Sequence, residues 1–257
     1  MIGAIIGDIV GSAFEWNHHK STDFKLFSDY SCYTDDTVLT IATADAMLNQ
    51  LNYSDSYYKW GRNYLDAGYG RNFYTWLMSA DRKQMDSFGN GSAMRVSPVG
   101  WVCKTMEDTL LEAKKTAFWT HHHPDGIDGA QSVAAAIFLA RTGSSKEEIK
   151  SFVQNRWKNY DLNRTIEEIR PQYTFDATCP GSVPEAMIAF LDSTDYESAI
   201  RLAVSLGGDS DTQACIAGSI AEAFYKEIPE EIVKTARSYL EKPLLAVLDE
   251  FESIKIR

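Results

Sequence analysis

The 257-residue chain is expected to be all-α. Three observations point there: apolar residues recur at helical spacing, Gly, Pro, Asn and Asp clusters punctuate the periodic stretches, and alternating strand patterns with hairpin turns are nearly absent. Residues 36–50, DTVLTIATADAMLNQ, put Val38, Ile41, Ala42, Ala46 and Met47 on one helix face. Residues 129–141, GAQSVAAAIFLAR, are small and apolar all round, which predicts a central buried helix. The same periodicity gives helices over 183–192, 195–206, 212–226, 229–240 and 243–254. Pro184, Pro229 and Pro243 stand near the starts of three of them, where a missing N–H does no harm. With no low-complexity tract, long Gly/Ser linker or fixed-period repeat, residues 1–257 are expected to form one domain.

Composition removes several functions. Hydrophobic residues at 44% and charged residues at 24% describe a globular chain rather than a disordered one. The formal charge of −11 repels a phosphate backbone on average, so broad binding to nucleic acid or to an anionic membrane is not expected. Cys32, Cys103, Cys179 and Cys215 lie far apart with no C-x-x-C pair. That argues against a zinc knuckle and a dense disulfide framework, and fits a reducing, cytoplasmic compartment. The apolar start MIGAIIGDIVGS has no basic segment and carries Asp8 in its middle, unlike a signal peptide. The longest apolar run, VAAAIFLA, is too short to span a bilayer. A monomer is the simplest expectation.

Two acidic knots stand out. Asp209-Ser210-Asp211-Thr212 and Thr34-Asp35-Asp36-Thr37 each open an apolar helix. Helix capping is the bland explanation, since Asp, Ser and Thr accept orphan N–H bonds and suit the positive end of the dipole. Capping, however, needs one side chain, and adjacent helical residues point about 100° apart, so Asp35 and Asp36 cannot serve as the same cap. Carboxylates brought together raise one another's pKa unless a positive charge sits among them, and neither knot has much Lys or Arg nearby. Oxygen ligands without His or Cys favour Mg²⁺ or Mn²⁺ over zinc. A pair of such ions about 3.5 to 4 Å apart can activate a water for hydrolysis.

Three further stretches add to this. FGNGSAMR (88–95) places Gly-Asn-Gly-Ser before a helix, a cradle for phosphate oxygens or a plain turn with a cap. In WTHHHPDGIDGAQ (119–131) three consecutive His cannot converge on one ion, so substrate contact or hydrogen bonding by one of them is the better reading. GYGRNFYTW (68–76) offers aromatic faces for an adenine, or for the core.

Together GDIVGSAFE (7–15), YTDDTVLT (33–40), GYGRNFYTW (68–76), GNGSAMRVSPVG (89–100), THHHPDGIDGAQ (120–131), SVPEAMIAF (182–190) and GGDSDTQACIAG (207–218) resemble the ADP-ribosylglycohydrolase family. The matches keep the family's order from residue 3 to about residue 240. The resemblance implies a compact orthogonal helical bundle with two Mg²⁺ or Mn²⁺ ions at the floor of a cleft. By position, Thr34, Asp35 and Asp36 match one half of the metal site, and Asp209, Asp211 and Thr212 the other. Glu15 matches an acid near the ions and the scissile ribose, and proton transfer falls to Glu15, Asp35 or Asp36. Ser87, Phe88, Gly89, Asn90, Gly91 and Ser92 match the loop that holds the diphosphate and distal ribose. His121 matches a substrate-contacting histidine, and Tyr69 and Gly70 a segment beside the site. Ser182, where many members have Thr, and the added His122 and His123 depart from the pattern without touching the metal motifs.

The implied activity is hydrolysis at C1″ of an ADP-ribosyl group, arginine- or serine-linked, on a modified protein or a small conjugate. A non-catalytic ADP-ribose-binding module on the same fold is the rival, and another di-Mg²⁺ hydrolase, such as a phosphoesterase, a weaker third. Intact TDDT and GGDSDT motifs speak for the enzyme.

Overall fold

A computed structural model describes residues 1–254. In chain order the helices are α1 (Ile2–Ser12), α2 (Asp35–Asn49), α3 (Tyr53–Asn63), α4 (Arg71–Met78), α5 (Gly91–Met94), α6 (Ser97–Val102), α7 (Met106–Ala117) and α8 (Pro124–Arg141). They continue as α9 (Lys146–Arg156), α10 (Ile166–Ile169), α11 (Cys179–Asp192), α12 (Tyr196–Val204), α13 (Ser210–Tyr225), α14 (Glu230–Ser238) and α15 (Lys242–Ile254). Among the described residues there is no strand, only isolated bridges between Asp86 and His121 and between Gly89 and Thr178. The fold is all-α.

The central element is α13, buried from Ser210 to Ala223 and packed against α1, α8, α11 and α12. Its closest neighbour is α1, and the sequence explains how. Gly3, Gly7 and Gly11 recur every fourth residue and so share one face of α1. A Cβ on Gly7 would lie 2.1 Å from the carbonyl oxygen of Ala214, and one on Gly11 2.3 Å from that of Ser210. The two helices therefore meet backbone to backbone. Ile5, Ile6, Ile9 and Val10 on the rest of α1 are buried as well, contributing roughly 1.5–3 kcal/mol each. This close approach carries Asp8, next to Gly7, toward the start of α13.

Two boundaries differ from the periodic reading. The helix expected over 183–192 begins at Cys179, because the Thr178 side chain accepts the Gly181 N–H and starts the helix upstream. Pro184 consequently lies inside α11, where it forgoes one backbone bond, and Pro180 occupies the N-terminal turn. Likewise α8 begins at Pro124, capped by His123. No helix among the described residues is long and apolar enough to cross a membrane.

Candidate metal centre and substrate loop

The starts of α2 and α13 face each other beside α1, and capping does not consume their acids. Thr34 is the N-cap of α2: its hydroxyl accepts the Asp36 N–H at 3.3 Å and donates to Oδ1 of Asp8 at 2.7 Å. Asp8 takes over two further backbone donors from across the helix boundary. Its Oδ2 accepts the N–H groups of Thr34 (2.9 Å) and Thr37 (3.1 Å) and the Thr37 hydroxyl. The carboxylates of Asp35 and Asp36 are left over. At α13, Asp209 occupies the N-cap position yet makes no side-chain cap bond. Its Oδ2 instead accepts from Asn90 Nδ2 at 2.7 Å. Thr212 joins the two helix starts, its hydroxyl donating to Oδ2 of Asp36 at 3.2 Å.

Two sets of carboxylate oxygens result, each with all members within 4.8 Å of one another: Asp8, Asp36 and Asp211, and Glu15, Asp209 and Asp211. Asp211 belongs to both. Of the residues matched to the metal motifs, Asp36, Asp209, Asp211 and Thr212 are brought together. Asp35 lies outside both sets; it is half-buried, with its N–H on the Ala67 carbonyl at 2.7 Å. Thr34 is present at the cluster, with its hydroxyl engaged in both directions. Asp8 is the member that motif reading missed. Its signal was an acid in the middle of an apolar helix, a placement that is costly unless the acid is partnered.

Burial and mutual repulsion dominate the electrostatics. Burial raises Asp8 to about 6 despite its hydrogen bonds from Thr34 and Thr37. Asp209 also stands at about 6, raised by burial and held back by hydrogen bonds from Asp211 and Asn90. Half-buried Glu15 reaches about 7 through burial and the charges of Asp211 and Asp8. Asp35, Asp36 and Asp211 are pushed well above the ordinary carboxylate range, by burial first and neighbouring acids next. Among the described residues no Lys or Arg nitrogen comes within 4.0 Å of these acids. Oδ1 of Asp36 is buried with no hydrogen-bond partner. Hard oxygen donors, excess negative charge and an orphaned carboxylate oxygen are what a hard divalent cation satisfies. The residues fit such an ion.

The Ser87–Ser92 loop is fastened to this cluster. Asn90 Nδ2 contacts both Asp209 and the Ser182 hydroxyl (3.1 Å), so Ser182 supports Asn90 rather than the acids. The Met94 carbonyl accepts from Thr40 of α2 at 3.4 Å and from Cys215 of α13 at 3.3 Å, fixing α5 between the two acidic helices. Within the loop, Ser87 Oγ takes the Gly89 N–H and the Ala177 carbonyl takes that of Asn90. The Ser92 hydroxyl donates to the Gly126 carbonyl at 2.6 Å. Phe88 is exposed and lies 5.4 Å, centroid to centroid, from the His123 ring.

The histidine run divides its labour. His123 caps α8, accepting the Asp125 N–H, and His122 stands edge-on to Phe118. His121 is buried beside the loop, with Nε2 3.1 Å from where a Gly91 Cβ would be. In the aromatic segment core packing prevails: Tyr69, Phe73 and Trp76 are buried in contact with one another. The glycine that needs its freedom there is Gly68, at φ 97°, while a Cβ on Gly70 would meet nothing within 4 Å.

The sequence comparisons agree on relationship, and a structural comparison on fold. The family model described as ADP-ribosylglycohydrolase matches residues 1–254. The chain is 25% identical to ADP-ribosylhydrolase ARH3 of Bos taurus, over 96% of this chain and 90% of that protein. It is 24% identical to ADP-ribosylarginine hydrolase Tri1 of Pseudomonas putida, over 88% of this chain and 69% of that one. A solved structure titled ADP-ribosylglycohydrolase-related protein complex superposes with a TM-score of 0.75 at 23% identity, over 99% of this chain and 97% of that chain. That last likeness concerns the fold.

Proposed function

The chain belongs to the ADP-ribosylglycohydrolase family, and from that premise we propose that it hydrolyses the glycosidic bond at C1″ of the distal ribose of an ADP-ribosyl group. The substrate is a mono-ADP-ribosylated protein, arginine- or serine-linked, or a related small conjugate. One observation carries the reading: buried carboxylates with no protein cation among them, fastened through Asn90 to a glycine loop overlooked by His121.

Two Mg²⁺ or Mn²⁺ ions would be held by Asp8, Asp36, Asp209, Asp211 and Glu15, with Thr212 beside them and Thr34 and Asp35 at the margin. When bound, such ions polarise oxygen ligands and lower the pKa of water. The chain's own residues supply the rest. Glu15, half-buried just beyond α1, handles the protons of water and leaving group together with Asp36 or Asp35. Ser87, Phe88, Gly89, Asn90, Gly91 and Ser92 hold the diphosphate and distal ribose, with Tyr69 and Gly70 to one side. Asn90 keeps that loop in register with Asp209, so substrate and acids move as one unit.

Names among the relatives favour an ADP-ribosyl conjugate, and that of the Pseudomonas protein favours an arginine linkage. The direct test is incubation with arginine- and serine-linked ADP-ribosyl peptides and O-acetyl-ADP-ribose, in Mg²⁺, Mn²⁺ or EDTA. ADP-ribose is expected from at least one substrate with metal and from none in EDTA. Cleavage of no substrate under any condition overturns the hydrolase reading. Tight ADP-ribose binding without turnover would identify a binding module instead.

A further inference from the structure

His121 ends a chain of buried hydrogen bonds. Arg95 is fully buried, its guanidinium 4.0 Å above the Tyr57 ring. Its Nη2 donates to the Thr116 carbonyl at 2.9 Å and to Thr120 Oγ1 at 2.7 Å. Thr120 Oγ1 in turn lies 2.8 Å from Nδ1 of His121. An arginine only donates, so Thr120 Oγ1 is an acceptor toward Arg95 and keeps its single proton for another partner. With Thr120 fully buried, the acceptor in reach is His121 Nδ1. If Nδ1–H donated to Thr120 instead, the hydroxyl proton would be buried without an acceptor, an arrangement folded proteins avoid.

We infer that Arg95 and Thr120 are positioning residues that lock His121 as its neutral Nε2–H tautomer, an uncharged hydrogen-bond donor aimed at an oxygen bound over the Gly89–Gly91 loop. The geometry at the far side of the ring agrees. Nε2 would be 3.1 Å from a Cβ on Gly91, a tight approach, and 3.8 Å from one on Gly89, an ordinary contact, so the nitrogen lies against the backbone of this loop. Burial, with the Arg95 charge behind the ring, also holds His121 well below the ordinary imidazole range, disfavouring a second ring proton. The inference rests on the reading of this loop as the diphosphate loop and deepens it: the oxygen is a phosphoryl oxygen, recognised here by a hydrogen bond rather than an ion pair.

Two independent readouts test it. Long-range ¹H–¹⁵N correlation spectra of the full-length ¹⁵N-histidine protein at pH 7 report the tautomer, with His121 assigned by loss of its signals in His121→Asn. The expected spectrum has Nδ1 unprotonated and Nε2 protonated. Thr120→Val, which keeps shape and removes the hydroxyl, should give a tautomer mixture and raise KM for the cleaved ADP-ribosyl peptide about fivefold. Its kcat should stay within about twofold, and Thr120→Ser should restore both tautomer and KM. An Nδ1–H or imidazolium spectrum in the wild type overturns the inference, as does an unchanged tautomer or unchanged KM in Thr120→Val. Should Thr120→Val fail to fold, the wild-type spectrum still decides the tautomer. That spectrum requires no activity, so failure of the hydrolase reading is seen separately, in the peptide panel.

Discussion

Asp211→Asn is expected to abolish hydrolysis while making the cation-free protein more stable. Asp211 is common to both oxygen sets, so its loss weakens both candidate ion positions at once. The loss in kcat should be on the order of a thousandfold, the scale seen when one electrostatic stabiliser is removed from an active site. The fold should tolerate the change. Asn retains the Oδ1 that accepts the Thr212 N–H at 2.9 Å, and its amide can donate to Asp209. What disappears is one buried negative charge among several. In EDTA at pH 8 the variant should melt at least about 2 °C higher, the shift of roughly 1 kcal/mol in a chain of this size. Wild-type turnover in the variant, or a lower melting temperature in EDTA, contradicts this prediction.

The second large effect concerns pH. In EDTA the wild-type melting temperature should fall between pH 5 and pH 8. Asp8 and Asp209 stand at about 6 and Glu15 at about 7, with Asp35, Asp36 and Asp211 well above the ordinary value of 3.8. Groups raised in the folded state bind more protons there than in the unfolded chain. Stability is therefore lost as pH rises from the unfolded values near 4 through the folded values near 6 to 7 and beyond. A bound divalent cation removes that penalty. An ion at about a hundredfold excess over its Kd adds about 2.7 kcal/mol per site, or roughly 5–10 °C here, and the increment should be greatest at pH 8. A flat profile in EDTA, or no shift with Mg²⁺ or Mn²⁺, argues against the cluster as a cation site.

The sequence disclosed long, amphipathic or all-apolar helices more readily than the contacts that build the site. Helices α2, α12, α13, α14 and α15 lie close to where apolar spacing put them. Helix α1 was harder to see, because its packing face is a row of glycines, which contributes nothing to hydropathy and everything to the closeness of α1 and α13. Asp8 escaped for a different reason: its partners, Thr34 and Thr37, are 26 and 29 residues away. Capping was the natural explanation of the two knots. At α2, Thr34 does cap, and Asp8 completes the work; at α13, Asp209 makes no cap bond. The role of Asn90 as a tie between loop and acids depends on a contact spanning 119 residues, which no local pattern encodes. The three consecutive histidines lie not on a helix but in the link between α7 and α8, and the structure gives each a different environment.

The central claim is that these acids are a divalent-cation site rather than a set of protonated core residues. Equilibrium dialysis of metal-stripped protein against Mn²⁺ at pH 7.5, with elemental analysis of bound metal, tests it most directly. Two ions per wild-type chain, and fewer than one in Asp211→Asn, are expected. A wild-type chain that retains no Mn²⁺ at millimolar free metal, or an Asp211→Asn chain that retains two, would contradict it.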